Sequence, residues 1–291
     1  MSTGAGLRLR NNRSAPGIRA IGRDHTPSNE TRRPAGGGFE AWHTRPVSEF
    51  TLTEAPTSGE APHGLEAFLA VGNRLVKNMI EAGLEGTDRV LDIGCGSGRV
   101  AAALANVLTT GRYEGFDVDK TRIAWAKEHI DLPQFTFRHV SVKNGFYSRW
   151  RGKSGADFTF PYADDSCDFA IATSLFTHLL PDDAAHYLQE TARVLDRGGT
   201  LFATFFITDE FAVSQIRAGQ TQRLAPRHER PDGTWTYKRR SPEIAMGYPP
   251  EWIEKAVRGA GLTIDATHFG SWSGRDAPFA QDIVVASAPD G

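Results

Sequence analysis

An α/β fold with a doubly wound, mostly parallel sheet is predicted by three features of the chain. From about residue 65 onward, apolar strand-like runs alternate with helical patterns, the order that places helices on both faces of a parallel sheet. Val90-Leu91-Asp92-Ile93 runs directly into Gly94, Gly96 and Gly98 and then into an alanine-rich helical stretch. Such a strand–turn–helix unit lies where open α/β sheets bind their ligands. The last two strand-like runs, Leu262–His268 and Asp282–Ala286, are joined by a short link around Gly270–Asp276 without helical pattern. Parallel neighbours need a longer crossover, so these two form an antiparallel hairpin at the sheet edge.

The elements follow in order. Residues 1–38 carry seven arginines against Asp24 and Glu30 among many Gly, Ser, Asn and Pro, and read as a disordered basic tail. Residues 39–63 are a Pro/Thr/Glu/Gly-rich lead-in draped over the domain, which occupies 64–291. Leu65, Phe68, Leu69, Val76, Met79 and Ile80 share one helical face, ended by Gly83. Gly86-Thr87-Asp88 opens the first strand, and Val100–Leu108 is the helix after the glycine turn. Tyr113–Val118 is the second strand, and Asp119 caps a helix holding Ile123, Trp125 and Ile130. Phe135–Val142 alternates as the third strand, and Asp168–Ala172 is a short apolar fourth. A helix runs from Pro181 to Leu195 and is ended by Gly198-Gly199, after which Thr200–Ile207 is the fifth strand. Residues 208–248 are a long insertion, followed by a helix over Pro250–Ala260.

Bulk properties narrow the class. With 291 residues the chain can bury a sizeable core, and 40% hydrophobic residues with a net charge of −2 describe an ordinary soluble protein. No apolar run approaches the roughly 18 residues of a membrane span. Cys95 and Cys167 lie too far apart for a metal or redox motif, so a reducing, cytoplasmic setting is expected and no metal site.

The chemistry of the turn separates two kinds of ligand. A dinucleotide site leaves its glycine turn open for a pyrophosphate at the helix N-terminus. Here Asp92 stands just before the turn, and a carboxylate suits an ammonium group or a cation better than phosphates. The spacing is G-x-G-x-G, with Arg99 where the nicotinamide fingerprint has its third glycine. Val90 to Gly98 resembles the first motif of class I S-adenosylmethionine (SAM)-dependent methyltransferases. Phe160-Pro161-Tyr162, Ser166-Cys167-Asp168-Phe169 and Arg193-Val194-Leu195-Asp196-Arg197-Gly198-Gly199-Thr200 are similar to the later motifs, with Asp196 and Arg197 in place of the usual Lys-Pro. Tyr113-Glu114-Gly115-Phe116-Asp117, Ile123-Ala124-Trp125 and Ser174-Leu175-Phe176-Thr177-His178-Leu179 resemble a bacterial subgroup of small-molecule or glycan methyltransferases.

The resemblance implies a seven-stranded sheet with one antiparallel edge strand, SAM as methyl donor, and cofactor contacts from Asp92, Gly94, Cys95, Gly96 and Asp117. Asp117 ends the second strand, where a carboxylate can accept both hydroxyls of a ribose. At the place where the family usually meets the adenine amino group with an acid, this chain has Ser141.

A sulfonium methyl is already a strong electrophile, so the protein's main task is aligning the acceptor. A base is needed only when the acceptor must lose a proton, as a hydroxyl must. His178, just after the fourth strand, has the right ordinary pKa for that work, and Phe176 stands beside it. Tyr147, in the long stretch 144–155, and Arg240, in the basic insertion, are candidate acceptor contacts. The expected function is methylation of a small-molecule or glycosidic acceptor, possessing an anionic group and reacting at oxygen. An RNA or protein methyltransferase and a noncatalytic SAM-binding module are the alternatives. Base methylation of nucleic acid is disfavoured, since Thr173-Ser174-Leu175-Phe176 stands where such enzymes carry Asn/Asp-Pro-Pro-aromatic.

Overall fold

The structure, a computed structural model, describes residues 50–57, 61, 63–143 and 153–290. The basic tail and Tyr147 lie outside the described residues. In chain order the elements are α1 (Gly64–Glu81), β1 (Arg89–Ile93), α2 (Arg99–Leu104), β2 (Arg112–Asp117), α3 (Lys120–His129), β3 (Phe135–His139), β4 (Val142–Lys143), β5 (Lys153–Ser154), β6 (Cys167–Ala172), α4 (Pro181–Val194), β7 (Leu195–Phe205), α5 (Glu210–Ala218), β8 (His228–Glu229), β9 (Trp235–Thr236), β10 (Met246–Gly247), α6 (Pro250–Gly259), β11 (Thr263–His268) and β12 (Asp282–Ser287).

Seven strands form the main sheet in the order β11-β12-β7-β6-β1-β2-β3. Every neighbouring pair from β7 to β3 is parallel, while β12 runs against both β7 and β11. The expected edge hairpin is therefore β11–β12, with β12 as the reversed strand.

A sheet covered on both faces needs apolar residues at nearly every strand position, and the central strands supply them. Leu91 and Ile93 of β1 join Ala170 and Ala172 of β6 and Val284 of β12 on the face covered by α4 and α6. Val90, Phe169, Ile171 and Ile283 point to the opposite face, against Phe68 and Met79 of α1, Val100 of α2 and Ile123 of α3. The lead-in joins this second layer through Leu52, which is buried, and Phe50, whose backbone exchanges two hydrogen bonds with the Asn106 side chain.

Some boundaries differ from the sequence reading, for local reasons. Gly198-Gly199 does not end a helix. α4 stops at Val194, and the glycines lie inside β7, where Gly198 takes φ +65° and the pairing with β6 shifts register between Cys167 and Phe169. Arg89 crosses this end of the sheet, meeting Asp168 and Asp196 each at 2.6 Å. The third strand stops at His139, and Val142–Lys143 pairs with Lys153–Ser154 in a separate two-stranded sheet. The 208–248 insertion has its own structure, α5 and a three-stranded sheet in the order β10-β9-β8. Among the described residues no helix is long and apolar enough to cross a membrane.

Where β12 begins, Asp282 gathers donors from three directions. It accepts from Ile207 N at 2.6 Å, Gly270 N at 2.7 Å and Trp272 Nε1 at 2.6 Å, all in a fully buried setting. Burial pushes this carboxyl up to about 6, against the pull of those donors and of Arg275. An unfolded aspartate titrates near ~3.9. The carboxyl's contribution to stability is thus fully present below the unfolded value and is lost as pH rises through about 6. Asp282→Asn cannot titrate there. The parent's stability relative to this variant, read by urea unfolding, should fall by about 2 kcal/mol as pH rises from about 4 to about 7. A constant difference would mean that Asp282 stays ionised throughout.

Candidate functional site

At the carboxyl ends of β1, β2 and β6 the sheet opens into a cavity of ≈ 950 Å³, solvent mouth included. Its floor is the glycine turn. Gly94, Gly96 and Gly98 take φ of +78°, +56° and +77°, a left-handed run that side chains resist. Space is equally restrictive: a Cβ on Gly98 would come within 2.7 Å of Ile130 Cδ1, and one on Gly94 within 3.1 Å of Leu175 Cδ1. The turn is also tied to β2, since Gly94 N and Cys95 N both donate to Phe116 O.

Asp117, at the end of β2, completes this anchoring. Oδ2 accepts from Gly96 N at 2.9 Å and Oδ1 from Asp119 N at 2.7 Å. Asp119 in turn caps α3 by accepting from Thr121 N and Arg122 N, as its position suggested. One carboxylate therefore fixes the turn while the next starts the following helix.

The structure distributes the expected cofactor residues over two layers. Gly94, Cys95 and Asp117 line the cavity. Asp92 lies beneath the turn, 1% exposed, and accepts from the hydroxyl of Tyr113 at 2.8 Å. Burial beside Asp92 raises the Tyr113 pKa far above its ordinary value, so the phenol stays a donor. Ser141 is exposed, next to Val142, which lines the cavity.

The opposite wall comes from the segment after β6: Thr173, Ser174, Leu175, His178 and Leu179. His178 ends a short 3-10 turn, and its Nδ1 lies 2.9 Å from Glu243 O in the insertion. A carbonyl only accepts, so Nδ1 carries the proton and Nε2 is the basic nitrogen of the neutral ring. Burial lowers the His178 pKa below 6.5 despite the carbonyls of Glu243 and Ile244. Phe176 is fully buried and stacks on Phe205 at 4.6 Å, which places it in the core beneath this wall. Arg240 is exposed, in the turn that follows β9.

Several wall residues were not singled out from the sequence. Arg99 and Arg122 bring two cations to the cavity beside Asp117. Arg99 directly follows the glycine turn, and that adjacency was the available signal. Asp183 and Tyr187 reach in from α4, and burial raises the Asp183 pKa. Asp183 resembles any acid in a first helical turn, so its sequence gives no hint of the cavity. Among the described residues, no group of three or more His, Cys, Asp and Glu side chains is placed to hold a metal ion.

The anchoring role of Asp117 has a measurable consequence without any ligand. Asp117→Ala leaves Gly96 N and Asp119 N without their charged acceptor, and urea unfolding should show a loss of about 2–4 kcal/mol. A loss under about 0.5 kcal/mol, the usual range for surface substitutions, would mean that the turn is held by its other bonds alone.

Residues 91–203 match a family described as "Methyltransferase domain". Methyltransferase GfsG from Streptomyces halstedii is 28% identical over 141 residues, which is 48% of this chain and 46% of that protein. Ribosomal protein L11 methyltransferase from Enterococcus faecalis is 27% identical over 178 residues, 60% of this chain and 48% of that protein. The chain thus spans about half the length of these curated relatives. Among solved structures, a SAM-dependent methyltransferase from Methanosarcina mazei superposes with a TM-score of 0.53 at 19% identity, covering 72% of this chain and 97% of that one. Strand order and the glycine turn at the end of β1 agree with these likenesses, and the chain has the fold typical of class I methyltransferases, Rossmann-like, with a doubly wound, mostly parallel seven-stranded sheet and an antiparallel edge strand.

Proposed function

We propose that the chain transfers a methyl group from SAM to an oxygen of a small-molecule or glycosidic acceptor. The observation that carries this reading is one cavity bounded by the glycine turn and Asp117 on one side and by His178 on the other. The residues fit SAM: the turn leaves no room for side chains under a ligand, and a carboxylate accepts at about four lone-pair sites. That capacity lets Asp117 hold both the turn and a ribose. Gly94, Cys95 and Gly96 then pass under the cofactor, Asp92 supports them from below with its negative charge, and Ser141 lies at the adenine end.

Bound there, SAM supplies an electrophilic sulfonium methyl. The protein's own work is alignment and water exclusion, for which Phe116, Val118, Val142 and Leu175 provide apolar wall. His178 accepts the acceptor hydroxyl's proton at Nε2, because Nδ1 is committed to the Glu243 carbonyl. The segment Ser174-Leu175-Phe176-Thr177-His178-Leu179 supports the small-molecule or glycan subgroup. Tyr147 is proposed as an acceptor contact on sequence grounds, and Phe176 as the residue that backs the acceptor wall. Lys238, Arg239 and Arg240 form an exposed cationic turn only a few residues before Glu243, which supports an anionic group on the acceptor. A protein acceptor is the second reading, favoured by the likeness to the ribosomal protein L11 methyltransferase of Enterococcus faecalis.

Thermal unfolding tests the cofactor first. SAM or its demethylated product at about a hundred times its Kd should stabilise the fold by about 2.7 kcal/mol, whereas NADH should not. Stabilisation by NADH alone would overturn the proposal. With an acceptor in hand, kcat/KM should fall on the acid side with a midpoint below ~6.5, as His178 gains a proton. His178→Gln should lower the rate about 100-fold or more and remove that acid limb. An unchanged profile in the variant would exclude His178 as the base. For a nucleic-acid acceptor, affinity would instead fall steeply with salt.

A further inference from the structure

Ser174 carries the one backbone conformation in the cavity wall that its side chain does not favour. Its φ is +56°, and Asp165 is the other described non-glycine residue with positive φ. For an ordinary side chain this left-handed state costs about 1–2 kcal/mol and persists only where surroundings enforce it.

The enforcing contacts come from remote parts of the chain. Ser174 N donates to Thr204 Oγ1 at 2.7 Å, and Ser174 Oγ donates to Gln281 Oε1 at 3.0 Å. Thr204 Oγ1 itself donates to the same Gln281 oxygen at 2.7 Å. Ser174 O accepts from Thr177 Oγ1 at 3.1 Å. Thr204 sits in β7 and Gln281 immediately precedes β12, so two strands beyond β6 grip this turn. The grip is directional, because the next residue, Leu175, packs on Gly94 of the glycine turn, and His178 follows one turn later.

We propose that Gln281 is a positioning residue: through Thr204 and directly, it holds Ser174 in the left-handed state that sets Leu175 and His178 against the cofactor turn. The proposal rests on the reading of this cavity as the SAM site. Gln281 touches neither cofactor nor acceptor in this role; it acts through Ser174. Its neighbour Asp282 is engaged by Ile207, Gly270 and Trp272, so the start of β12 is itself fixed and gives Gln281 a firm base.

The test exploits glycine, which occupies the left-handed region without penalty. Binding of SAM and its demethylated product is measured calorimetrically for the full chain, Gln281→Ala, and Gln281→Ala combined with Ser174→Gly. If Ser174 relaxes once Gln281 is gone, the competent fraction drops and apparent Kd rises by about 5- to 30-fold. Placing glycine at 174 in the same background should recover most of that loss. Thr204→Val, alone and with Ser174→Gly, asks the same question by removing the other grip, and serves where Gln281→Ala does not fold. Unchanged binding in Gln281→Ala, or a double variant as weak as the single one, overturns the proposal while leaving the cofactor reading intact. A parent chain that binds neither ligand overturns the cofactor reading and this proposal with it.

Discussion

The hydrogen bond from Gly96 N to Asp117 Oδ2, 2.9 Å long and buried, is the tie on which the glycine-turn side of the cavity depends. It joins the turn after β1 to the last residue of β2, two segments that parallel pairing already brings level. The same carboxylate orders Asp119 N, so the start of α3 is referenced to the same point. Glycine makes the turn possible, but a glycine-rich segment is conformationally permissive and needs an external tie to adopt one course. Asp117 supplies that tie with charge, and Tyr113 and Asp92 supply a second beneath it.

This part of the molecule was legible because its determinants are local. Gly94, Gly96, Gly98 and Asp117 fall within one strand–turn–helix–strand unit, and their spacing states the geometry. The β11–β12 hairpin was legible for the same reason, since a short link without helical pattern leaves little choice. Gly198-Gly199 misled because glycine after a helix and glycine at a strand irregularity look alike in sequence. Only the pairing with β6 distinguishes them. Asp183 and Gln281 were illegible for a different reason. Their partners, Ala156 and Ser174, are far away in the chain or set by the tertiary fold, and no motif records them.

The wall opposite the glycine turn depends on such distant contacts. The insertion reaches back to the β6 segment twice, through Glu243 O to His178 and through the Tyr248 hydroxyl to Leu179 O at 2.6 Å. Tyr248 also lies edge-on to Phe205, whose other neighbour is Phe176. Phe176 thus shapes the wall from behind, and the insertion sets its outer boundary. In a fold shared by many chemistries, these are the elements through which one chain would distinguish its acceptor from those of its relatives.

The placement of β12 has a consequence for the order in which the molecule assembles. It follows every other sheet strand in the chain, yet it lies between β7 and β11. Until it arrives, β7 has β6 on one side and an open edge on the other, with unpaired backbone groups of the kind that invite mispairing. Local pairing can build β1, the glycine turn, β2 and β3 early, while the β7–β12 contacts close a long loop and come late. During synthesis, at about 5–20 residues per second, the glycine turn can therefore take shape well before Gln281 reaches Ser174 in the opposite wall. A nascent chain would pass through a stage with a formed floor and an unfinished wall, and its vulnerability to aggregation lies in that interval.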